Sequence, residues 1–370
     1  MRKFLFSFIA VFAMMFGVFS VSFAADTMVA EKVDSPPVLD GQVDNMWMEV
    51  QPLIVKTVVA DYDAGNDHYK DKWWDAYEGE EKTVKLRSVY TDDKIYFLFQ
   101  WNDQEDSRDR QSWYYNKKES KWMQKPKYVP DANGLPPAYE DKFTMFWNIS
   151  IENFESNGCS TLCHGVKMRT NNDGETADIW HWKRDRGGPV GIIDDKWLNN
   201  DENGRHGDPG KSTYSYNVQE LEHEGKTVKA PKYWIPGRED YHCILKSEIE
   251  NGTAKKIVKM DKYGNLVDEA GNTLSTGDFY FGSPRVIPSL APVRMGEGSR
   301  ADIREAHNFE DGMWTLEIVR ARNTGDEEHD VQFTETGKPY LFSLAIMDNE
   351  AIAHSTPGGL LGTAYKLILK

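Results

Sequence analysis

The sequence predicts a mainly β protein, a β-sandwich with long cofactor-binding loop insertions, on three observations. Its early and late parts carry short apolar runs rich in β-branched and aromatic residues, at strand length. No sustained apolar stripe at helical spacing appears after the first 24 residues. Between the two parts, residues 153–292 are dense in Gly, Asp, Asn and Lys and poor in apolar runs, as loops are. With 370 residues, 39% of them hydrophobic, the chain can bury one large core or two modest ones. Residues 25–370 are read as a single domain carrying a loop-rich insertion at about 153–292.

The elements follow in order. Arg2 and Lys3, an apolar stretch from Phe4 to Val21, and small residues at Ser22 and Ala24 read as a secretory signal peptide, residues 1–24. Export to the periplasm or an equivalent compartment is expected, with no membrane span after cleavage. Pro36-Pro37 and Asp40-Gly41 mark an extended entry and a turn before Trp47. Leu53 to Val59 is a strand. Thr83 to Tyr90, a turn at 91–94 and Ile95 to Trp101 form a hairpin whose second strand is apolar enough to be buried on both faces. Asp103 to Lys127 is expected to be a polar surface excursion. Asp141 to Ile151, Trp314 to Arg320, Tyr340 to Ile346 and Ala364 to Leu369 complete the core strands.

Formal net charge is −15. With no basic stripe to offset it, such a surface repels phosphate backbones, so nucleic acid is excluded as a partner. An acidic carrier docking on a basic patch of another protein fits better.

Chemistry concentrates at Cys159-Ser-Thr-Leu-Cys163-His164. In c-type haem attachment two thiols form thioethers with the vinyl groups and the adjacent histidine ligates iron. The common spacing is C-x-x-C-H, and this motif is one residue longer. The bare motif therefore also admits a Cys159–Cys163 disulfide or a zinc site that adds His242 or Cys243. Export argues against zinc and leaves disulfide and haem. Downstream, Asp178-Ile-Trp-His-Trp-Lys183 would, as a strand, place Trp180 and Trp182 on one face and His181 and Lys183 on the other. The tryptophan pair is taken as the haem wall.

These segments carry a resemblance. Val38-Leu39-Asp40-Gly41 with Trp47, Phe99 to Asp103, Asp178 to Lys183, Trp314 to Arg320 with Thr324-Gly325, and Phe342 to Asp348 follow one another as they do in a known family. The chain resembles the haem-binding gamma subunits of DMSO-reductase-type molybdenum enzymes. These include ethylbenzene dehydrogenase and the nitrate, selenate, chlorate and nitrite oxidoreductases. The resemblance implies a haem held between sheet and loops, and electron exchange with an iron–sulfur beta subunit that serves a molybdenum-containing alpha subunit. Gamma subunits hold haem b through Met and Lys. This sequence resembles the branch with a cysteine attachment site, which implies haem c, with a second haem b as a further cofactor.

Cys159 and Cys163 are thus the candidate thioether residues and His164 the proximal ligand. His354, just after a late core strand, is the candidate distal ligand, with Met168 and Lys183, and then His181, as alternatives. The reading is an electron-transfer haem subunit with no catalytic residue of its own, or a free-standing cytochrome that serves a soluble partner. An exported carbohydrate-binding sandwich, with Trp73 and Trp74 stacking on sugar, is the alternative from another class. A haem enzyme with an open iron position ranks last.

Overall fold

The computed structural model describes residues 26–60, 79–128, 130–131, 134–164, 167–359 and 362–370; at 163, 164 and 167 it describes the backbone only. The expected leader, Trp73 and Trp74 lie outside that part. Among the described residues no helix is long and apolar enough to cross a membrane.

Among the described residues thirteen strands form one continuous sheet folded over on itself. They are β1 (Thr27–Lys32), β2 (Leu53–Val59), β3 (Glu81–Tyr90), β4 (Lys94–Asn102), β5 (Lys142–Asn148), β6 (Ala177–Lys183) and β7 (Asp194–Leu198). There follow β8 (Arg205–Gly207), β9 (Arg304–Glu310), β10 (Met313–Ala321), β11 (Pro339–Met347), β12 (Ser355–Pro357) and β13 (Tyr365–Leu369). One half runs β8-β7-β6-β5-β11 and the other β3-β4-β10-β9. β11 and β3 are joined twice, through β12 with β2 and through β13 with β1. At the far edge Ile193 N donates to Ile303 O, and Glu305 N to Gly191 O, each at 3.1 Å. The sandwich is therefore closed along both sides.

Alternation puts Phe97, Phe99 and Trp101 of β4 on the inner face, where they meet aromatics of the other half. Ring centroids lie 5.7 Å apart for Phe97–Trp147, 4.7 Å for Phe99–Phe143 and 5.9 Å for Trp101–Trp182. These are tilted and edge contacts of the kind aromatic quadrupoles favour. The outer face of β4 is covered too. Tyr96 and Leu98 pack on Trp47 of a one-turn helix, α1 (Asn45–Glu49). This is why the second hairpin strand is apolar on both faces, as expected from its sequence.

The Asp40-Gly41 turn has a tertiary anchor. Glu317, buried on β10, accepts Asp40 N (3.0 Å), Gly41 N (2.9 Å) and Trp47 Nε1 (3.0 Å). Gly41 has φ +78°, and a Cβ there would lie 2.7 Å from the His307 carbonyl carbon, so no other residue fits.

Two regions differ from expectation. The polar excursion at 103–127 contains a hairpin, Trp113–Asn116 with Lys121–Gln124, whose Trp113 and Trp122 bury in a second apolar cluster with Ile257, Leu266, Phe279 and Ile287. Each indole covers a large area, and its N–H finds a carbonyl, Asn217 O and Gly264 O, both at 2.9 Å. Lysines between the tryptophans hide this pattern from hydropathy. Second, the stretch at 153–292 includes β6, β7 and β8 of the main sheet. Buried charged residues make β6 and β7 read as loop, and β8 is only three polar residues long.

Candidate functional site

Cys159 lies in a short 3-10 turn, Gly158–Leu162, after a one-turn helix, Phe154–Asn157. Gly158 has φ +53°, and a Cβ there would fall 2.4 Å from Thr363 O, so glycine lets the turn lie flat on the chain entering β13. Phe146, Ile151, Phe154, Leu162, Ile179 and Leu198 surround the thiol in one apolar cluster. Ser343 Oγ on β11 donates to Cys159 Sγ at 3.4 Å. Burial pushes the thiol up, so it is protonated at neutral pH. The chain then makes a two-rung ladder, with Cys163 opposite Met168 and His164 opposite Lys167. The side chains of Cys163 and His164 lie outside the described residues. Met168 packs partly buried on the Cys159 cluster.

This segment covers one end of the outer face of the β8-β7-β6-β5-β11 half. Strand register sets that face out in rows about 7 Å apart. The row beside the thiol holds Lys196, Ile179, Phe146 and Ser343. The next holds Asp194, His181, Thr144 and Ala345, and the one beyond it Lys183, Lys142 and Met347. Ile179, His181 and Lys183 therefore share the face of the motif. Trp180 and Trp182, expected to wall a haem, point the other way into the aromatic interior and are 1% and 0% exposed. Parity explains the separation: neighbours in a strand face opposite sides. The wall next to Cys159 is built from Phe146, Ile179 and Leu198.

The rows beyond the thiol are polar and basic. His181 is buried, and its Nε2, like Thr144 Oγ1, has no hydrogen-bond partner among the described residues. Burial, then Lys183 and Arg205, hold the imidazole well below the usual histidine range, so it is neutral. Lys142 Nζ donates to Ala351 O at 3.0 Å, and burial, then Arg186, lowers this ammonium well below its ordinary value. Lys183 is bonded to Asp194. Burial pushes Lys183 down to about 8, while Asp194, despite its own burial, is held well below the usual carboxylate range by Lys183, Lys196 and Arg300. The two partners move unequally because one carboxylate serves three cations. Arg186 is bonded to Glu140 and sits 5.5 Å from the ring centroids of both Tyr139 and Tyr214. Lys142 lies 4.7 Å from the Tyr139 ring. Among the described residues Lys142, Lys183, Lys196, Arg186 and Arg300 outnumber the carboxylates Asp194, Glu140 and Glu350, which leaves the face basic.

His354 follows β11, past the rung of Ile346 with Ser355, roughly 10 Å along the sheet from Ser343. Its Nδ1 donates to Ile352 O at 2.6 Å, which leaves Nε2 as the basic nitrogen, and burial keeps the ring neutral. The ring lines a small cleft with Lys82, Glu80 and Asp348. Cys243 is buried in a different cluster with Leu290 and Val293. Lys142, Thr144 and Arg186 were not expected from sequence. The available signal was alternation, since Lys142, Thr144 and Phe146 fall on one face of a strand that looks apolar throughout.

The chain is similar in fold to carbohydrate-binding modules of family 9 from Caldicellulosiruptor kristjanssonii. The glucose complex aligns at TM-score 0.32 and 9% identity, over 93% of this chain and 95% of the other. The cellotriose complex aligns at 0.30 and 9%, over 93% and 94%. Superposition that loose decides nothing about function. No curated protein matches the chain. A family model described as ethylbenzene dehydrogenase matches residues 44–357, from α1 through β12. The protein belongs to the ethylbenzene dehydrogenase family.

Proposed function

We propose that this chain is the exported electron-transfer haem subunit of a molybdenum oxidoreductase such as a nitrite or nitrate oxidoreductase. It exchanges electrons with an iron–sulfur subunit or a soluble cytochrome. Family membership supports association with a molybdoenzyme. The observation that carries the haem reading is the outer face described above. A haem is an apolar disc with vinyl groups at one edge and carboxylates at the opposite edge. The face offers a thiol bedded in apolar side chains at one end, a neutral imidazole in the next row and a surplus of cations beyond. Those residues fit the group.

In this reading Cys159 and Cys163 hold a haem c as thioethers and His164 binds iron on the proximal side. His354 is the distal residue, with the Ile352 carbonyl orienting its ring. His181 is favoured over Lys183 as the alternative, because Lys183 is committed to Asp194 while His181 Nε2 has no partner among the described residues. Met168, packed beside Cys159, is the remaining one. The haem supplies one-electron transfer. The chain holds it, excludes water at the apolar end and sets its potential through ligands and buried charge. A haem b belongs to the proposal if two haem equivalents are measured per chain.

The test is a haem stain after denaturing electrophoresis with a reduced-minus-oxidised spectrum. A positive stain that disappears in Cys159→Ala/Cys163→Ala is expected. A negative stain, or colour extracted by acid acetone, overturns covalent attachment, and saturable glucan binding by such a haem-free protein would favour the carbohydrate-binding reading. His354→Ala is expected to convert haem to high-spin, and an unchanged low-spin spectrum would move the ligand to His181 or Met168.

A further inference from the structure

On the inner face of β6, Asp178 lies among other carboxylates: Asp195 on β7, Asp208 after β8, Asp302 before β9 and Asp330 after β10. Oxygens of Asp178, Asp195 and Asp330 lie within 4.8 Å of one another, and the three residues are 0%, 0% and 1% exposed. Among the described residues the cation paired with them is Arg320, 2.8 Å from Asp178 Oδ2 and 3.9 Å from Asp330 Oδ1. Trp180 Nε1 and Val331 N, both at 3.1 Å, complete Asp178 Oδ2. Asp178 Oδ1, Asp195 Oδ2 and both oxygens of Asp330 have no hydrogen-bond donor among the described residues. Asp208, 3% exposed, takes Ser299 Oγ on Oδ2 at 3.1 Å, and its Oδ1 has no donor either.

Buried carboxylate oxygens without donors are strongly disfavoured, and one guanidinium does not balance this many acids. Either protons or a further cation must neutralise them. Burial and the neighbouring carboxylates push Asp178 and Asp208 up to about 7 and Asp302 up to about 6, as an uncompensated acid cluster behaves.

We propose that Asp178, Asp195 and Asp330, completed by Asp208, bind a divalent, oxygen-preferring cation of the calcium class. Oxygens held about 2.3–2.6 Å from such an ion are at most roughly 5 Å apart, which the cluster satisfies. Softer metals favour nitrogen and sulfur, and neither is offered. Magnesium keeps several waters, and a site this buried leaves little room for them. Asp302 and Ser299 also border an open cleft whose other walls include Asp326, Glu327 and Glu328, an acidic mouth that draws cations in. The ion would tie β6 and β7 to the loop after β10, and so lock the two halves together at this end.

The test uses the whole protein and does not depend on haem. After equilibration with calcium and dialysis into metal-free buffer, elemental analysis is expected to find one calcium per chain, removed by EGTA. EGTA should lower Tm by on the order of 5 °C, restored by millimolar calcium and not by magnesium. Terbium should bind in its place and luminesce on tryptophan excitation, since Trp180 is bonded to Asp178. Asp330→Asn should abolish retention and the calcium effect on Tm. The wild-type measurements stand if that variant fails to fold. An EGTA-treated protein with the same Tm with and without calcium, and no retained metal, overturns the site. So does a Tm that rises on acidification from pH 8 to 6 whether or not calcium is present, because protons would then neutralise the acids.

Discussion

β6 carries opposite charge on its two faces, at Asp178 and Lys183, five residues apart in sequence. Inward, Asp178 joins a nest of carboxylates around Arg320; outward, His181 and Lys183 join a patch of lysines and arginines around Asp194. Both are buried within the protein, and neither balances its own charge. Each face must be neutralised, either by shifted protonation or by a partner of the opposite sign. The proposed metal cation would meet the inner face and the carboxylates of the proposed haem the outer one. Such neutralisation also explains why seven consecutive residues, two of them formally charged at neutral pH, are all buried.

The largest effect is expected at Arg320, the cation of the inner nest. Arg320→Met should cost about 3–5 kcal/mol in chemical denaturation, because it leaves buried carboxylates unpaired. A loss below about 1 kcal/mol would mean that the acids are held by protons or metal alone. Trp182→Ala, which empties the aromatic interior, should cost a comparable 3–5 kcal/mol. Trp182→Phe should leave the haem spectrum unchanged, since its ring faces away from Cys159. A shifted spectrum would put the haem on the inner face and break the comparison. Asp194→Asn, which strips the outer cations of their shared carboxylate, should cost about 3 kcal/mol.

The pH profile separates the faces by sign. Lys183 and Lys196 are pushed down to about 8 by burial, so between about pH 8 and 10.5 the unfolded chain binds more protons than the native one. Stability from the outer face should rise with pH across that window. Asp178 and Asp208, pushed up to about 7, bind more protons in the native state between about pH 4 and 7, so their contribution falls as pH rises there. Calcium should flatten the second slope and leave the first untouched; urea titrations at fixed pH read both. The smallest stability effect is expected from His181→Phe, under about 1 kcal/mol, because the imidazole nitrogen it removes has no partner among the described residues to lose. A larger loss would reveal a protein partner for that ring.

Much of the sandwich was legible in the sequence. β2, β3, β4, β10 and β11 appear where apolar runs between turn residues placed them, within a residue or two. The buried second strand of the hairpin and the Asp40-Gly41 turn were visible as well. β6, β7 and β9 were harder, because strands that bury paired charges lose their apolar signature. The Trp113 and Trp122 hairpin was hidden for the same kind of reason, with lysines masking indoles that bury. Of the site, the Cys159 motif could be read directly. The alternation of Trp180 and Trp182 against His181 and Lys183 could be read too, although which face the motif would cover could not.

Sequence by itself determined the β character, the expectation of export and the thiol–histidine spacing, because these rest on residues adjacent in the chain. Tertiary structure decided that Cys159 lies with Ile179 and His181 rather than with Trp180 and Trp182. Strand geometry makes neighbouring residues oppose one another, and only packing chooses the side that is enclosed. It also gathered Asp178, Asp195 and Asp330 around Arg320, from positions up to 152 residues apart. Long-range pairing of buried charge leaves no periodic trace in a single chain, and it becomes visible only where the sheet folds over on itself.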